Sequence, residues 1–316
     1  MNITILGAGN MGTAIAKLLG DNNHKVILWS IEDDVNKDIN QNHKNNKYLQ
    51  GVELKKDITA TSNIEESLKN AELVVVSLPS NIVKSVIVKS SNFIPKKSVI
   101  VNTAKGLEDE TDKRMSEVIS DVVKNKIVSI GGPSIANEVA LKVPTYVVFA
   151  STDSKALKSA VNAFKNEYYN ITTTSDIIGV EWCSALKNII AIATGIVDGL
   201  GYGDNTKAGI ISMGLKELSE IVKIMGGDGE TVHSLAGVGD LIVTCNSIHS
   251  RNRRFGEKLA KGFSVEEALK DVGQTVEGIN AIKIVKKVID KRKINAPLIS
   301  KLYKVLFENG KAREIL

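Results

Sequence analysis

The chain has only two cysteines in 316 residues, Cys183 and Cys245. That is too few for a disulfide framework, so a reducing compartment is expected. The four histidines, His24, His43, His233 and His249, are scattered. No Cys or His pair has ligand spacing, and no metal site is expected. No basic segment precedes an apolar core at the start; an alternating apolar stretch begins at Asn2, which argues against a secretory signal. The longest apolar runs, such as residues 189–193, fall well short of a bilayer span, so no stable membrane insertion is expected. There is no Gly-x-Ser-x-Gly elbow of the kind that exposes a hydrolase nucleophile. Arginine is scarce too. Of 41 basic residues only Arg114, Arg251, Arg253, Arg254, Arg292 and Arg313 are arginine, and three of the six fall within 251–254. The cluster reads either as a solvated helix start or as a place where a planar forked donor matters.

What is present is globular. Apolar residues make up 43% and charged residues 24%, in a 34.1 kDa chain of one large or two ordinary domains. A net charge of +5 suits an anionic small molecule and is weak ground for a nucleic-acid partner, which is not expected. The expectation is a soluble, cytoplasmic protein.

The first half alternates short β-branched runs with helical patterns, the rhythm of βαβ units around a parallel sheet. Strands are expected at 2–6, 25–29, 73–78, 98–102, 127–130, 145–150 and 170–174. The continuous Leu-Val-Val-Val from Leu73 fits a strand buried on both faces. After about Ile178 the strand signals stop. Helices are expected at 181–200, 210–225, 264–269 and 279–289. The fold class is therefore an α/β Rossmann-like N-terminal domain, 1–178, followed by an all-α C-terminal domain, 179–316.

Gly7-Ala8-Gly9-Asn10-Met11-Gly12 follows the first strand and opens the first helix. In that setting the three glycines serve a tight turn, close approach of backbone to a pyrophosphate, and close helix–strand packing. The helix N-terminus offers free N–H groups to phosphates. A dinucleotide cofactor is expected. Beyond Trp29 the chain reads Ser30-Ile31-Glu32-Asp33-Asp34, with no basic residue before Lys37. A carboxylate there accepts a hydrogen bond from a ribose 2′-OH and repels a 2′-phosphate, which favours NAD and leaves NADP open.

The stretch 181–193 is apolar almost all round at helical period, interrupted by Lys187 and Asn188. A buried lysine is costly unless paired, and burial lowers its pKa toward an acid–base range; the alternative is a lysine that snorkels to solvent. Asp240, between a glycine turn and an apolar run, reads as a helix N-cap or as a partner for such a lysine.

Taken in order, these residues resemble the NAD(P)-dependent glycerol-3-phosphate dehydrogenases over essentially the whole chain. The resemblance rests on residues 7–12, Thr-Ala-Lys-Gly-Leu-Glu at 103–108, Gly-Gly-Pro-Ser-Ile-Ala at 131–136, and Ala-Leu-Lys-Asn at 185–188 with 198–208. Gly-Val-Gly-Asp-Leu at 237–241 and Ser-Arg-Asn-Arg-Arg-Phe-Gly at 250–256 complete it. Segment 40–49 looks more like the eukaryotic NAD-linked members, and Asn10-Met11 departs from the Ser-aromatic pair common in bacterial ones.

The resemblance implies interconversion of dihydroxyacetone phosphate and sn-glycerol 3-phosphate for glycerophospholipid synthesis, by a cytoplasmic homodimer. It implies Lys187 as proton donor and acceptor with Asp240 as its partner. Lys105, Gly132, Ser134, Asn188, Thr244, Ser250, Arg251 and Asn252 fall on substrate positions. Gly7, Gly9, Asn10, Met11, Gly12, Lys105, Ala136, Arg251, Thr275 and Glu277 fall on cofactor positions. Arg253 and Arg254 are left as surface or cofactor-side neighbours. Two alternatives remain: a related Rossmann-plus-helical dehydrogenase of the 3-hydroxyacid or pyrroline-carboxylate type, and a non-catalytic NAD-sensing protein.

Overall fold

The computed structural model describes residues 1–273 and 276–316. The chain divides into two compact units, one made of residues 1–108 and 113–177, the other of 109–112 and 178–316.

The first unit is built on β1 (Asn2–Leu6), β2 (Lys25–Trp29), β3 (Lys44–Asn45), β4 (Leu49–Glu53), β5 (Thr59–Thr61), β6 (Leu73–Val76), β7 (Val99–Asn102), β8 (Ile127–Gly131), β9 (Thr145–Ala150) and β10 (Tyr169–Thr174). An eight-stranded sheet runs in the order β10-β9-β8-β7-β6-β1-β2-β5, and β3 and β4 form a separate antiparallel pair. The pleat of β6 explains the two-sided burial expected of it. Leu73 and Val75 join one apolar layer with Ala14, Ile15, Leu18 and Leu19 of the Asn10–Asp21 helix. Val74 and Val76 join the opposite layer with Val83, Ile87, Val118 and Ile119.

Three strands were not foreseen. β3, β4 and β5 are short, and their flanks are polar, so no alternation marks them. Nor is the sheet wholly parallel: β8 pairs antiparallel with β9. Both are apolar runs, and periodicity carries no information about strand direction.

The second unit is helical. Helix Ile177–Gly199 is buried continuously from Gly179 to Val197. By length and composition it could cross a membrane, but 89% of its most apolar window is buried within the protein. The other helices of this unit include Asp204–Ile224, Asp240–Asn246, Arg251–Ala260, Val265–Val272, Glu277–Arg292 and Pro297–Phe307. Buried Glu217 accepts the backbone N–H of Leu298 at 2.7 Å and of Ile299 at 3.0 Å, capping the last of these helices. Burial holds its carboxyl above the ordinary range. Asp240 and the 251–254 cluster each offered a helix start as one reading, and helices do begin there, at Asp240–Asn246 and Arg251–Ala260; Pro297–Phe307 was not foreseen.

Candidate active site

The glycine loop connects β1 to the Asn10–Asp21 helix. A Cβ on Gly7, whose φ is +109°, would stand 2.3 Å from the Ser77 carbonyl oxygen, and one on Gly12 would stand 2.0 Å from the Gly7 carbonyl oxygen. A Cβ on Gly9 would meet nothing within 4 Å. So Gly7 and Gly12 let backbone pack on backbone, and Gly9 leaves open space at the helix start where a pyrophosphate can approach. The residues present fit the phosphates of a dinucleotide. Asn10 is exposed, and Met11 packs partly into the core layer beside the helix.

Asn45 locks this loop. It is 1% exposed; its Nδ2 donates to the Ala8 carbonyl at 2.8 Å and to Thr13 Oγ1 at 2.8 Å. Beyond β2 the expected acid is in place, but it has company. Glu32 Oε1 accepts the Tyr48 hydroxyl at 2.7 Å, and Lys47 Nζ lies 2.7 Å from Glu32 Oε2 and 3.1 Å from Asp34 Oδ2. The absence of a basic residue before Lys37 therefore does not leave this position free of cations: the chain returns one from Lys47. These bonds to Lys47 and Tyr48 hold the Glu32 carboxyl below its ordinary range.

Elsewhere in the first unit, Lys105 Nζ donates to the Gly132 carbonyl at 3.2 Å, and Ser134 Oγ donates to the same oxygen at 3.2 Å. Three of the candidate substrate residues thus meet at one carbonyl. Ala136 is buried at the start of the Ala136–Ala140 helix.

In the second unit Lys187 is 6% exposed and does not snorkel. Its Nζ lies 2.5 Å from Asp240 Oδ1 and 3.0 Å from Thr244 Oγ1; Thr244 Oγ1 in turn donates to the Asp240 carbonyl at 2.6 Å. Asp240 is the first residue of its helix, whose N-cap is Gly239, so its carboxylate serves the lysine and not the cap. One helical turn places Asp240 and Thr244 on the same face, and both reach Lys187.

Asn188 and Asn252 form a second cluster. Asn252 Nδ2 donates to Asn188 Oδ1 at 2.9 Å, Asn252 Oδ1 accepts the Gly278 N–H at 2.9 Å, and Asn188 Nδ2 donates to Glu277 Oε2 at 3.3 Å. Asn252, read as a substrate contact, is 7% exposed and ties three helices together. Ser250 is the N-cap of Arg251–Ala260, its Oγ accepting the Arg253 N–H at 3.3 Å. Thr275 lies outside the described residues.

The arginines separate. Arg253 is no surface neighbour: its Nε lies 2.6 Å from Asp198 Oδ2 and its terminal nitrogen 2.7 Å from Glu257 Oε1, with the side chain 14% exposed. Lys207 joins the same Asp198 oxygen at 2.9 Å. No ion pair holds Arg251 or Arg254 among the described residues. Sequence reasoning missed Asn45, Lys47, Tyr48 and the pairing of Asp198 with Arg253. The first three sat in segment 40–49, whose likeness to a relative was visible and whose physical task was not. No metal-binding group of three or more His, Cys, Asp or Glu occurs among the described residues.

Comparison with known proteins agrees across the chain. The family model for the NAD-dependent glycerol-3-phosphate dehydrogenase N-terminus matches residues 2–157, and that for the C-terminus matches residues 176–316. A glycerol-3-phosphate dehydrogenase [NAD(P)+] of Clostridium botulinum is 42% identical over 306 residues, covering 97% of this chain and 93% of that one. One from Bacillus velezensis is 41% identical over 313 residues, covering 98% and 91%. The crystal structure of the Coxiella burnetii glycerol-3-phosphate dehydrogenase superposes with a TM-score of 0.94 at 36% identity, covering 99% of this chain and 96% of that one. D-mandelate dehydrogenase, at 14% identity and a TM-score of 0.67, shares the fold alone.

Proposed function

The chain belongs to the NAD-dependent glycerol-3-phosphate dehydrogenase family, and we propose that it interconverts dihydroxyacetone phosphate and sn-glycerol 3-phosphate with NAD(H) or NADP(H). It is an NAD(P)-dependent oxidoreductase acting on a CH–OH group. In this reading residues 1–178 bind the dinucleotide and 179–316 carry the catalytic groups. The reading extends to a cytoplasmic homodimer, which rests on the family resemblance.

The observation that carries it is the buried Lys187 ammonium on Asp240 and Thr244. A bound nicotinamide dinucleotide supplies the hydride. Lys187 gives its proton to the ketone oxygen as the hydride adds to the carbonyl carbon, so that the oxygen stays on that carbon as a hydroxyl and not as an alkoxide. In the reverse direction the neutral amine takes that proton back. Asp240 keeps the ammonium charge-balanced and fixes its position from one side, and Thr244 from another; their shared helical turn makes the arrangement rigid. Gly7, Gly9 and Gly12, with the first turn of the Asn10–Asp21 helix, would hold the pyrophosphate. Within the second unit Arg251 would supply a cationic donor to the substrate phosphate, with Ser250 and Asn188 as neutral ones; within the first, Lys105 and Ser134 offer a cationic and a neutral donor beside the Gly132 carbonyl.

The test is NADH oxidation with dihydroxyacetone phosphate, dihydroxyacetone, a 3-oxoacid and 1-pyrroline-5-carboxylate. Turnover is expected on the first far above the other three. Preference for either of the last two overturns the substrate assignment, and NADH binding with no turnover on any of them overturns the enzymatic one.

A further inference from the structure

The turn between β3 and β4 is anchored at both ends. Asn45 binds the glycine loop, as described, and its Oδ1 accepts the Tyr48 N–H at 3.3 Å. Asp38 Oδ2 accepts the Asn46 N–H at 2.9 Å. Lys47 and Tyr48 are thereby presented at the end of β2, where they meet Glu32. Lys47 Nζ also stands 5.7 Å from the Tyr48 ring centroid.

A lone carboxylate at this place would discriminate strongly, accepting a ribose 2′-OH and repelling a 2′-phosphate by charge. Here that carboxylate is not alone. One oxygen holds a phenolic O–H and the other faces an ammonium that Asp34 shares. The Lys47 side chain is 47% exposed on a flexible four-carbon stem, so its charge can turn from Asp34 toward an incoming anion without losing a buried partner. Ile31, 73% exposed, brings no charge of its own to the same loop.

We propose that Lys47, held against Glu32 and Asp34, is the specificity-determining residue of the adenosine ribose site: Glu32 selects the 2′-OH, and Lys47 lowers the penalty on a 2′-phosphate, so that the chain takes both nicotinamide dinucleotides. Tyr48 is a positioning residue, keeping the Glu32 carboxylate turned toward the turn. The proposal rests on the reading that the first unit binds a dinucleotide.

The experiment measures direct binding of NADH and NADPH, by nicotinamide fluorescence without substrate, to the full chain and to Lys47→Ala, Lys47→Arg and Glu32→Gln. Lys47→Ala weakens NADPH by about fivefold and leaves NADH within about twofold, the upper end of what one partly exposed charge pair is worth. The selective loss shrinks as salt rises from about 0.05 M to about 0.5 M, because exposed charges are screened. Lys47→Arg restores NADPH. Glu32→Gln moves the preference the other way, tightening NADPH and weakening NADH. Equal effects of Lys47→Ala on both cofactors, or none on either, overturn the proposal and leave the dinucleotide reading standing. Wild-type protein that binds neither cofactor overturns that reading itself, and the proposal with it.

Discussion

The carbonyl oxygen of Arg253 lies 1.9 Å from where a Cβ on Gly195 would stand. Helices Ile177–Gly199 and Arg251–Ala260 therefore touch backbone to backbone, and a Cβ on Gly256 would likewise stand 2.1 Å from the Ile192 carbonyl oxygen. This contact brings Asn252 onto Asn188 and Arg253 onto Asp198. Gly195→Ala should cost about 1–3 kcal/mol or more through overpacking. A urea titration followed by tryptophan fluorescence in a Trp29→Phe background, which leaves Trp182 buried in the same helix as the reporter, checks it. An unchanged midpoint would mean the two helices can separate at no cost.

Lys187→Ala should lower kcat by about 10²–10⁴, the usual contribution of general acid catalysis, with NADH affinity retained. Removing Asp240 alone should also destabilise the fold by about 3–5 kcal/mol, because it strands a buried ammonium. The control is the double variant Lys187→Met with Asp240→Leu, expected to be inactive yet more stable than Asp240→Leu alone. A double variant no more stable than Asp240→Leu alone would mean that the stranded ammonium costs nothing; a double less stable than wild type would mean that the pair contributes more than its desolvation costs.

Arg251→Lys should raise KM for dihydroxyacetone phosphate, since a point charge replaces a bidentate fork; a lost charge-assisted hydrogen bond is worth about 1.5–3 kcal/mol, or roughly ten- to hundredfold in kcat/KM. Dihydroxyacetone itself should be turned over almost as before. Arg253→Lys should behave differently, lowering stability by losing its fork to Asp198 and Glu257. Arg254→Lys should change little. Equal losses on both substrates in Arg251→Lys would assign that residue to the cofactor or the fold.

Asn45→Ala removes both donors that hold Ala8 and Thr13. NADH affinity should fall about tenfold or more, while kcat at saturating NADH and KM for the ketone stay near wild type. The split between cofactor affinity and kcat separates positioning of the loop from general damage. An unchanged NADH affinity would show that the glycine loop holds itself.

Neither cysteine should react in the folded protein. Both are fully buried, and burial pushes the Cys245 thiol up to about 11. The thiolate is therefore scarce at pH 8 as well as inaccessible. A thiol-reactive dye should count none in the native state and two in urea. Labelling of native protein would reveal a local opening of the helical unit.

Local pattern carried a large part of this protein. The Leu73–Val76 strand was legible because four consecutive apolar β-branched or branched residues suit a strand buried on both faces. The glycine loop was legible from its place between β1 and a helix, and Lys187 because it interrupts an apolar helix. The short strands β3 to β5 were not legible, since two to five largely polar residues hold no detectable period. The antiparallel turn at β8 and β9 was hidden because an apolar run reads the same in either direction.

The sequence by itself determined that the chain has an α/β half and a helical half, where the dinucleotide loop sits, and which lysine interrupts an apolar helix. Tertiary structure alone decided who meets whom. It made Asp240 a counter-ion and not a cap, turned Arg253 inward onto Asp198, set Asn45 on Ala8, and brought Lys47 back to Glu32. The physical reason is range. Periodicity senses neighbours within a turn or along a strand, and hydrogen bonds and ion pairs act between groups that the chain brings within about 3 Å from 15 to 55 residues away.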